Sequence, residues 1–195
     1  MTLRFARESD AAALLAIYAQ YIDTSVTFEY TLPTETEFSS RIRDTLTTYP
    51  YLVCESGGCI VGYAYAHRYR ERAAYSWCVE LSVYVDQAVH RSGIGHCMYD
   101  ALENILRLQG VHSMYALVTQ PNEKSNAFHT AMGFTAVGRQ NKIGYKAGAW
   151  HDICLFEKHI APFDTAPTPL IPFPGIIEEA EKILPLSFCK LLDFP

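Results

Sequence analysis

The fold of this chain is decided by residues 75–95, which read Tyr-Ser-Trp-Cys-Val-Glu-Leu-Ser-Val-Tyr-Val-Asp-Gln-Ala-Val-His-Arg-Ser-Gly-Ile-Gly. From Val79 to Val85 apolar and polar side chains alternate, which is the pattern of a β-strand. A short polar loop then leads to Gly93 and Gly95, where an apolar-periodic helix begins. Backbone N–H groups at a helix start attract phosphate oxygens. The stretch therefore predicts a site for a phosphorylated cofactor, with one carboxylate, Glu80, on the strand just upstream.

Composition limits the class of protein. The chain has 195 residues, 49% of them apolar, and a formal net charge of −5 at pH 7. This length and apolar content predict one globular domain with a substantial core. The mild negative charge argues against a protein that coats nucleic acid or a membrane surface. No apolar signal core or membrane-spanning run is evident, so we expect a cytoplasmic protein.

The cysteines favour a reducing compartment. Six are present, at Cys54, Cys59, Cys78, Cys97, Cys154 and Cys189. None of them forms a C-x-x-C pair, and most fall within strand-like or helix-like segments. We expect reduced cysteines that pack in the interior, rather than a disulfide framework.

Hydrophobic periodicity and turn signals predict a mixed α/β order. The predicted strands cover residues 2–7, 51–55, 59–66, 79–85, 112–119, 134–138 and 149–157. The predicted helices follow Ser9 or Asp10, the capping box Thr34-x-x-Glu37, Gly93 (with Gly110 as the stop), and Pro121-Asn122. Gly57 and Gly58 predict a hairpin between the second and third strands. Gly144 and Gly148 are expected to bracket the turn between the last two strands.

The composition changes after residue 160. Residues 161–195 hold seven of the ten prolines, which excludes a continuous helix or a central strand. We therefore divide the chain into a domain at 1–160 and a proline-rich extension at 161–195. Residues 176–184 are amphipathic, so the extension is expected to pack back on the domain or on a partner. A partly disordered tail is the alternative.

Six motifs carry a family resemblance over residues 2–158. They are Gly62-Tyr63-Ala64-Tyr65-Ala66, Tyr69-Arg70-x-Arg72-x-Ala74-Tyr75, Val79-Glu80-x-Ser82-Val83-Tyr84-Val85, Pro121-Asn122-x-x-Ser125, Gly133-Phe134 and Gly148-x-Trp150-x-Asp152. Together they resemble the GCN5-related N-acetyltransferase (GNAT) family, and within it the phosphinothricin and methionine sulfoximine N-acetyltransferases. The resemblance implies a mixed central sheet of about seven strands flanked by about four helices.

The resemblance implies direct acetyl transfer from acetyl-CoA to a small amine that carries an anionic group. The amine must lose a proton, and Glu80 is the implied general base. Burial among valines would raise its pKa towards that of a useful base. The alternative is a structural carboxylate paired with an arginine. His129 lies where many GNAT members keep a tyrosine acid, so it could be an acid, a second base or an orienting group.

The resemblance also assigns the binding residues. Those implied for acetyl-CoA are Val83, Tyr84, Val85, His90, Arg91, Ser92, Gly93, Ile94, Gly95, His96, Asn122 and Ser125. Val83 to Val85 would hold the pantetheine, while the loop 90–95 follows the family's Gln/Arg-x-x-Gly-x-Gly/Ala spacing with His90 in place of the usual first residue. Those implied for the substrate are Phe28, Arg70, Arg72 and Tyr75. Arginine suits a substrate oxyanion pair because its planar fork donates two parallel bonds.

Other interpretations remain open at this point. The chain could acetylate another amine, such as a polyamine, an aminoglycoside or a protein N-terminus, or it could be a non-catalytic acyl-CoA-binding module. His151-Asp152 is a lone dyad without the further ligands that a metal site needs, so no metal is predicted. The resemblance implies a homodimer.

Overall fold

The computed structural model describes residues 1–89, 92–163 and 165–184. Its strands are β1 (Thr2–Phe5), β2 (Tyr51–Ser56), β3 (Cys59–Arg68), β4 (Cys78–Val85), β5 (Ser113–Gln120), β6 (Thr135–Lys146) and β7 (Ala149–His159). Its helices are α1 (Ala11–Ala19), α2 (Glu35–Leu46), α3 (Ile94–Gln109), α4 (Glu123–Ala131) and the short α5 (Ile177–Glu181). The predicted sheet of about seven strands with four main helices is confirmed.

All seven strands form one sheet in the order β1-β2-β3-β4-β5-β7-β6. The β4–β5 pair is parallel, whereas the other neighbours are antiparallel. Helices α1 and α2 contribute to an apolar cluster on one face of the sheet, and α3 contributes to the larger cluster on the other. The central strands are therefore covered on both faces.

Local signals set the helix boundaries as predicted. The Thr34 hydroxyl accepts from the Glu37 N–H, and the Glu37 carboxylate accepts from the Thr34 N–H at 2.7 Å, which completes the capping box of α2. Gly93 (φ 77°) precedes α3 and Gly110 (φ 87°) ends it. Both conformations are left-handed, which glycine adopts without the steric penalty that other residues meet.

The parallel pair β4–β5 is short. Only residues 78–80 of β4 pair with residues 113–115 of β5, although the strands run on to Val85 and Gln120. Beyond Glu80 the two strands diverge, and a V-shaped gap opens in the middle of the sheet. Glu80 lies at the apex of this gap.

The last hairpin differs from the prediction. Strand β6 extends to Lys146, and the turn lies at Ala147 (φ 51°) and Gly148 (φ 77°). Gly144 is not a turn residue, because it lies inside β6 opposite His151. Register shifts after residues 136 and 140 interrupt the alternation of side chains, which explains why the periodicity ended the strand too early.

Part of the extension packs back on the domain, as predicted. Phe173, Ile176, Ala180 and Leu184 are buried in the larger apolar cluster. The Trp77 indole N–H donates to the Thr168 carbonyl at 2.7 Å. Residues 185–195 lie outside the described part of the chain.

Two further findings concern the cysteines and the character of the helices. The five cysteines within the described residues are not joined to one another by disulfides, and all five lie in strands or helices. Cys54 and Cys97 are buried, whereas Cys59 is exposed, so the expectation of interior packing is wrong for Cys59. No helix in the described ranges combines the length and the apolar character that crossing a membrane requires.

Candidate active site

The V-shaped gap forms a cleft of about 100 Å³. Six of the predicted site residues line it: Glu80, Val83, Tyr84, Asn122, Ser125 and His129. They come from β4 and α4, and the facing wall is formed by residues 116–119 of β5 together with Tyr99 of α3. The fold therefore brings together residues that lie far apart in the sequence.

A larger depression of about 440 Å³ lies between α1 and the β2–β3 turn. Three of its charged side chains satisfy one another, because Arg4 bonds to Asp10 at 2.7 Å and to Glu55 at 2.7 Å. None of the predicted site residues lines this depression. The β4–β5 cleft is therefore the candidate active site.

Glu80 is partly shielded from water at the apex of the cleft. Its side chain is 21% exposed, and its nearest ionisable partner is His67, with Nε2 3.8 Å from Oε1. The two residues are cross-strand neighbours in the β3–β4 register. Burial disfavours the charged carboxylate and raises the pKa of Glu80 to about 7. Such a group is half ionised near neutral pH, which suits a general base.

His129 is buried on α4 and bonded at both ring nitrogens. Its Nδ1 lies 2.8 Å from the Ser125 carbonyl, which can only accept, so Nδ1 carries the proton. Nε2 is then a lone pair, and it accepts from the Tyr99 hydroxyl at 3.2 Å. Burial lowers the pKa of His129, which favours the neutral ring. The arrangement fixes both the tautomer and the direction of the Tyr99 hydroxyl.

The backbone of β4 beyond Glu80 faces the gap. The Asp86 N–H bonds to the Val61 carbonyl at 2.9 Å, so this pair belongs to the β3 ladder. Alternation along an antiparallel ladder then turns the backbone groups of Val83 away from β3 and towards β5. Since β5 has diverged here, these groups can meet the amides of an extended ligand. The Val85 carbonyl accepts from the Tyr21 hydroxyl.

The start of α3 supplies backbone groups rather than side chains. Ile94 is 1% exposed and belongs to the core, so only its main chain can face a ligand. A Cβ added at Gly95 would lie 3.3 Å from the Phe128 ring, which explains a glycine there. Ser92 is exposed, and the exposed His96 packs edge-to-face on Phe128 with centroids 5.0 Å apart. The predicted contacts His90 and Arg91 lie outside the described residues.

The predicted arginines lie on the loop between β3 and β4, outside the set of described residues that line the cleft. The Arg70 guanidinium lies over the rings of Tyr69 and Tyr75, at 5.2 and 5.4 Å from their centroids. Tyr69 stacks on Tyr115, the residue that faces Glu80 in the parallel register. Arg72 is exposed and precedes the short 3₁₀ turn at Ala73–Tyr75.

Phe28 packs against the β6–β7 hairpin. A Cβ added at Gly144 would lie 2.3 Å from the Phe28 ring, so this ring occupies the space that the glycine leaves. The neighbouring Thr27 carbonyl accepts from the Lys146 ammonium at 2.6 Å. Lys146 is 5% exposed, and burial lowers its pKa. The loop between α1 and α2, which carries the cleft residue Val26, is thus held by the hairpin.

The His151-Asp152 dyad, for which no metal is predicted, makes its contacts within the β6–β7 hairpin. The His151 ring bonds to the Lys146 carbonyl at 3.0 Å, and the Asp152 carboxylate accepts from Arg139 at 2.5 Å and from the Lys142 N–H at 2.7 Å. These contacts give the His151-Asp152 pair a role in the hairpin.

Sequence reasoning missed Tyr99 and His67. Tyr99 was part of the apolar face of a helix, but a buried tyrosine hydroxyl needs a partner, and that requirement was the available signal. His67 was hidden because its position opposite Glu80 depends on the register between β3 and β4, which are joined by the loop at residues 69–77.

Comparison with known proteins establishes the class. Residues 3–155 match the family model described as "Acetyltransferase (GNAT) domain". The chain therefore belongs to the GNAT acetyltransferase family, and it is an N-acetyltransferase.

Relatives with assigned activities are similar over most of their length. The chain is 37% identical over 157 residues to phosphinothricin N-acetyltransferase of Streptomyces viridochromogenes, covering 80% of this chain and 86% of that one. It is 31% identical over 168 residues to L-methionine sulfoximine/L-methionine sulfone acetyltransferase of Salmonella typhimurium, covering 83% and 98%. A solved phosphinothricin acetyltransferase from Sinorhizobium meliloti in complex with AcCoA superposes with a TM-score of 0.83 at 31% identity, covering 88% and 96%.

Proposed function

We propose that this N-acetyltransferase uses acetyl-CoA to acetylate the amine of a small amino-acid-like substrate, of the phosphinothricin, methionine sulfoximine or methionine sulfone type. The observation that carries the proposal is the half-buried carboxylate of Glu80 at the apex of the β4–β5 cleft, with its pKa raised to about 7. The names of relatives at 31–37% identity support the substrate class.

In the proposed reaction, Glu80 removes a proton from the substrate ammonium. The neutral amine nitrogen then attacks the thioester carbonyl, and the carbon–sulfur bond breaks. The nitrogen loses two protons overall, of which one remains on the released thiol and one leaves the protein. Base catalysis of this kind contributes roughly 10²–10⁴-fold to rate.

The cleft suits the proposed co-substrate. The backbone groups of Val83 face the gap left by the diverging strands, as an extended pantetheine requires. Asn122 and Ser125 line the same gap, although the Asn122 side chain also caps α4 by accepting from the Ser125 N–H at 3.1 Å. The amides that follow Gly93 at the start of α3 are proposed to bind the pyrophosphate.

Of the three roles considered for His129, its contacts favour that of an orienting group. The neutral ring has no proton at Nε2 to give, because Nδ1 donates to Ser125. We propose that His129 directs the Tyr99 hydroxyl at the wall of the cleft. Replacement of His129 by Gln should then lower activity less than loss of Glu80 does.

Arg70 and Arg72 are proposed to bind the anionic group of the substrate. Both lie on the loop that leads into β4, and Arg70 is already fixed over two aromatic rings. A cationic substrate, such as a polyamine or an aminoglycoside, would instead want an acidic pocket. The arginines therefore favour an anionic amino acid over the other amines considered.

A substrate panel tests the proposal. Purified protein with acetyl-CoA should release free thiol with methionine sulfoximine or phosphinothricin, and much less with spermidine, an aminoglycoside or an alanine-terminated peptide. Arg72→Gln should raise KM for the anionic amines while leaving KM for acetyl-CoA unchanged. Preference for a cationic or uncharged amine would refute the arginine assignment, and acetyl-CoA binding without turnover of any amine would refute the reaction.

A further inference from the structure

His67 lies between Glu80 and bulk solvent. It pairs with Glu80 across β3 and β4, and its Nε2 is 3.8 Å from Oε1. Its side chain is 39% exposed, against 21% for Glu80. His67 is also absent from the residues that line the cleft within the described chain. It therefore approaches Glu80 from outside the described lining of the cleft.

The tautomer of His67 is set by its other nitrogen. Nδ1 lies 3.2 Å from the Arg68 carbonyl, which can only accept, so Nδ1 carries the hydrogen. Nε2 is then a lone pair directed at the carboxyl group of Glu80. The 3.8 Å separation is longer than a hydrogen bond, and a small rotation of the ring would close it.

The other titratable groups near Glu80 are phenols. Tyr65 of β3 and Tyr99 of α3 interact electrostatically with it, and Tyr115 of β5 faces it in the register. Burial raises the pKa of all three hydroxyls, so they are already protonated at neutral pH. Tyr99 donates to His129, and Tyr115 donates to Glu157 at 2.7 Å. Among these neighbours, the base that can accept a proton is His67. Burial lowers the pKa of His67, so the imidazolium that it forms gives the proton up readily to solvent.

We propose that His67 carries the substrate proton from Glu80 to solvent and so returns Glu80 to its ionised form. The inference rests on the proposed function, in which Glu80 is the base. The substrate ammonium gives its proton to Glu80, the protonated carboxyl gives it to Nε2 of His67, and the imidazolium releases it to water or buffer. One proton leaves per amide formed, as the overall reaction requires.

His67 acts through Glu80 and is therefore a positioning residue. His67→Asn is the sharpest test, because the asparagine amide can keep the bond to the Arg68 carbonyl but has no group at the position of Nε2. We expect kcat in dilute buffer to fall about tenfold, less than the 10²–10⁴-fold expected for loss of the base. KM for both substrates should not change, and added imidazole should restore kcat. His67→Gln provides a second variant should the first fold poorly, as judged by its melting temperature.

The matched control is His159→Gln. His159 is paired with Glu157 at 3.2 Å and is 53% exposed, but it lies on β7, outside the described lining of the cleft. We expect its kcat and buffer dependence to equal those of the unmodified protein.

The outcomes separate the two proposals. An active Glu80→Gln enzyme would refute Glu80 as the base. Glu80→Gln could instead be inactive, with no recovery on addition of imidazole. If the His67 variants then keep an unchanged kcat, the relay alone is overturned. A fall in kcat that imidazole does not restore would also overturn the relay, because a structural role predicts that result.

Discussion

The burial of Glu80 predicts a catalytic-site variant that is more stable than the natural protein. The pKa of this carboxyl rises from 4.5 to about 7 on folding. A raised folded pKa means that the native state binds the proton more tightly, so the stabilisation by protonation is complete below pH 4.5 and is lost as pH rises through 7. At 1.36 kcal/mol per pKa unit, the ionised carboxylate lowers the free energy of unfolding by about 3 kcal/mol above pH 8.

Glu80→Gln removes this charge and keeps nearly the same shape. We expect the free energy of unfolding to rise by about 3 kcal/mol at pH 8 but only by about 1 kcal/mol at pH 5, because at pH 5 the folded carboxyl is already neutral. For a chain of this size, 3 kcal/mol corresponds to about 6–12 °C in melting temperature. Urea unfolding at the two pH values, followed by tryptophan fluorescence, measures the difference.

The control is Glu178→Gln, a change at an exposed glutamate, which should alter stability by no more than about 0.5 kcal/mol at either pH. A Glu80→Gln variant that is no more stable than the natural protein at pH 8 would refute the claim that Glu80 is desolvated. An equal gain at both pH values would also refute it, because the gain would then come from something other than ionisation. Loss of turnover together with this gain in stability would show that Glu80 serves the reaction at a cost in folding stability.

Three further predictions concern the ionisation of Glu80, the packing of Phe28 and the packing of the C-terminal extension. The kcat/KM of the natural protein should rise with pH through about 7, because Glu80 must be ionised to accept a proton, and Glu80→Gln should lack that limb. Gly144→Ala should push Phe28 aside and raise KM for the amine without changing KM for acetyl-CoA. The control is Gly138→Ala on the same strand, whose Cβ would meet nothing within 4 Å and which should leave both KM values unchanged. Equal kinetics for the two variants would contradict the assignment of Phe28 to the substrate. Phe173→Ala should lower the free energy of unfolding, measured by urea titration, by about 3–5 kcal/mol, because this ring is buried in the main core. A loss below about 1 kcal/mol would show that the extension is not part of the core.

The parts of the fold that the sequence predicts are those with local causes. The capping box at Thr34, the left-handed glycines Gly93 and Gly110, and the alternation of β4 each act within a few residues, and each matches the structure. The β6–β7 hairpin was predicted poorly because register shifts break its alternation. Its turn uses Ala147 at φ 51°, a conformation that composition does not signal in an alanine.

The site was predictable to the extent that it lies on one strand. Glu80 and Val83 could be identified from their place on β4, and they do line the cleft. The cleft itself could not be predicted, because it exists only where β4 and β5 stop pairing, which is a relation between strands about 35 residues apart. Tyr99 reaches the cleft through helix packing, and His67 approaches Glu80 through the β3–β4 register, so no local pattern marks either residue.

One structural fact accounts for both halves of the proposed chemistry. The parallel pairing ends at Glu80, so the backbone beyond it faces a gap that an extended ligand can occupy. The Glu80 carboxyl lies at this ending, and burial there raises its pKa from 4.5 to about 7. If β4 and β5 paired for their full length, the gap would close and the base would have no substrate to reach. The hydrogen bonds between β4 and β5 are therefore absent at the position where the proposed ligand-binding cleft and the carboxylate with the raised pKa lie.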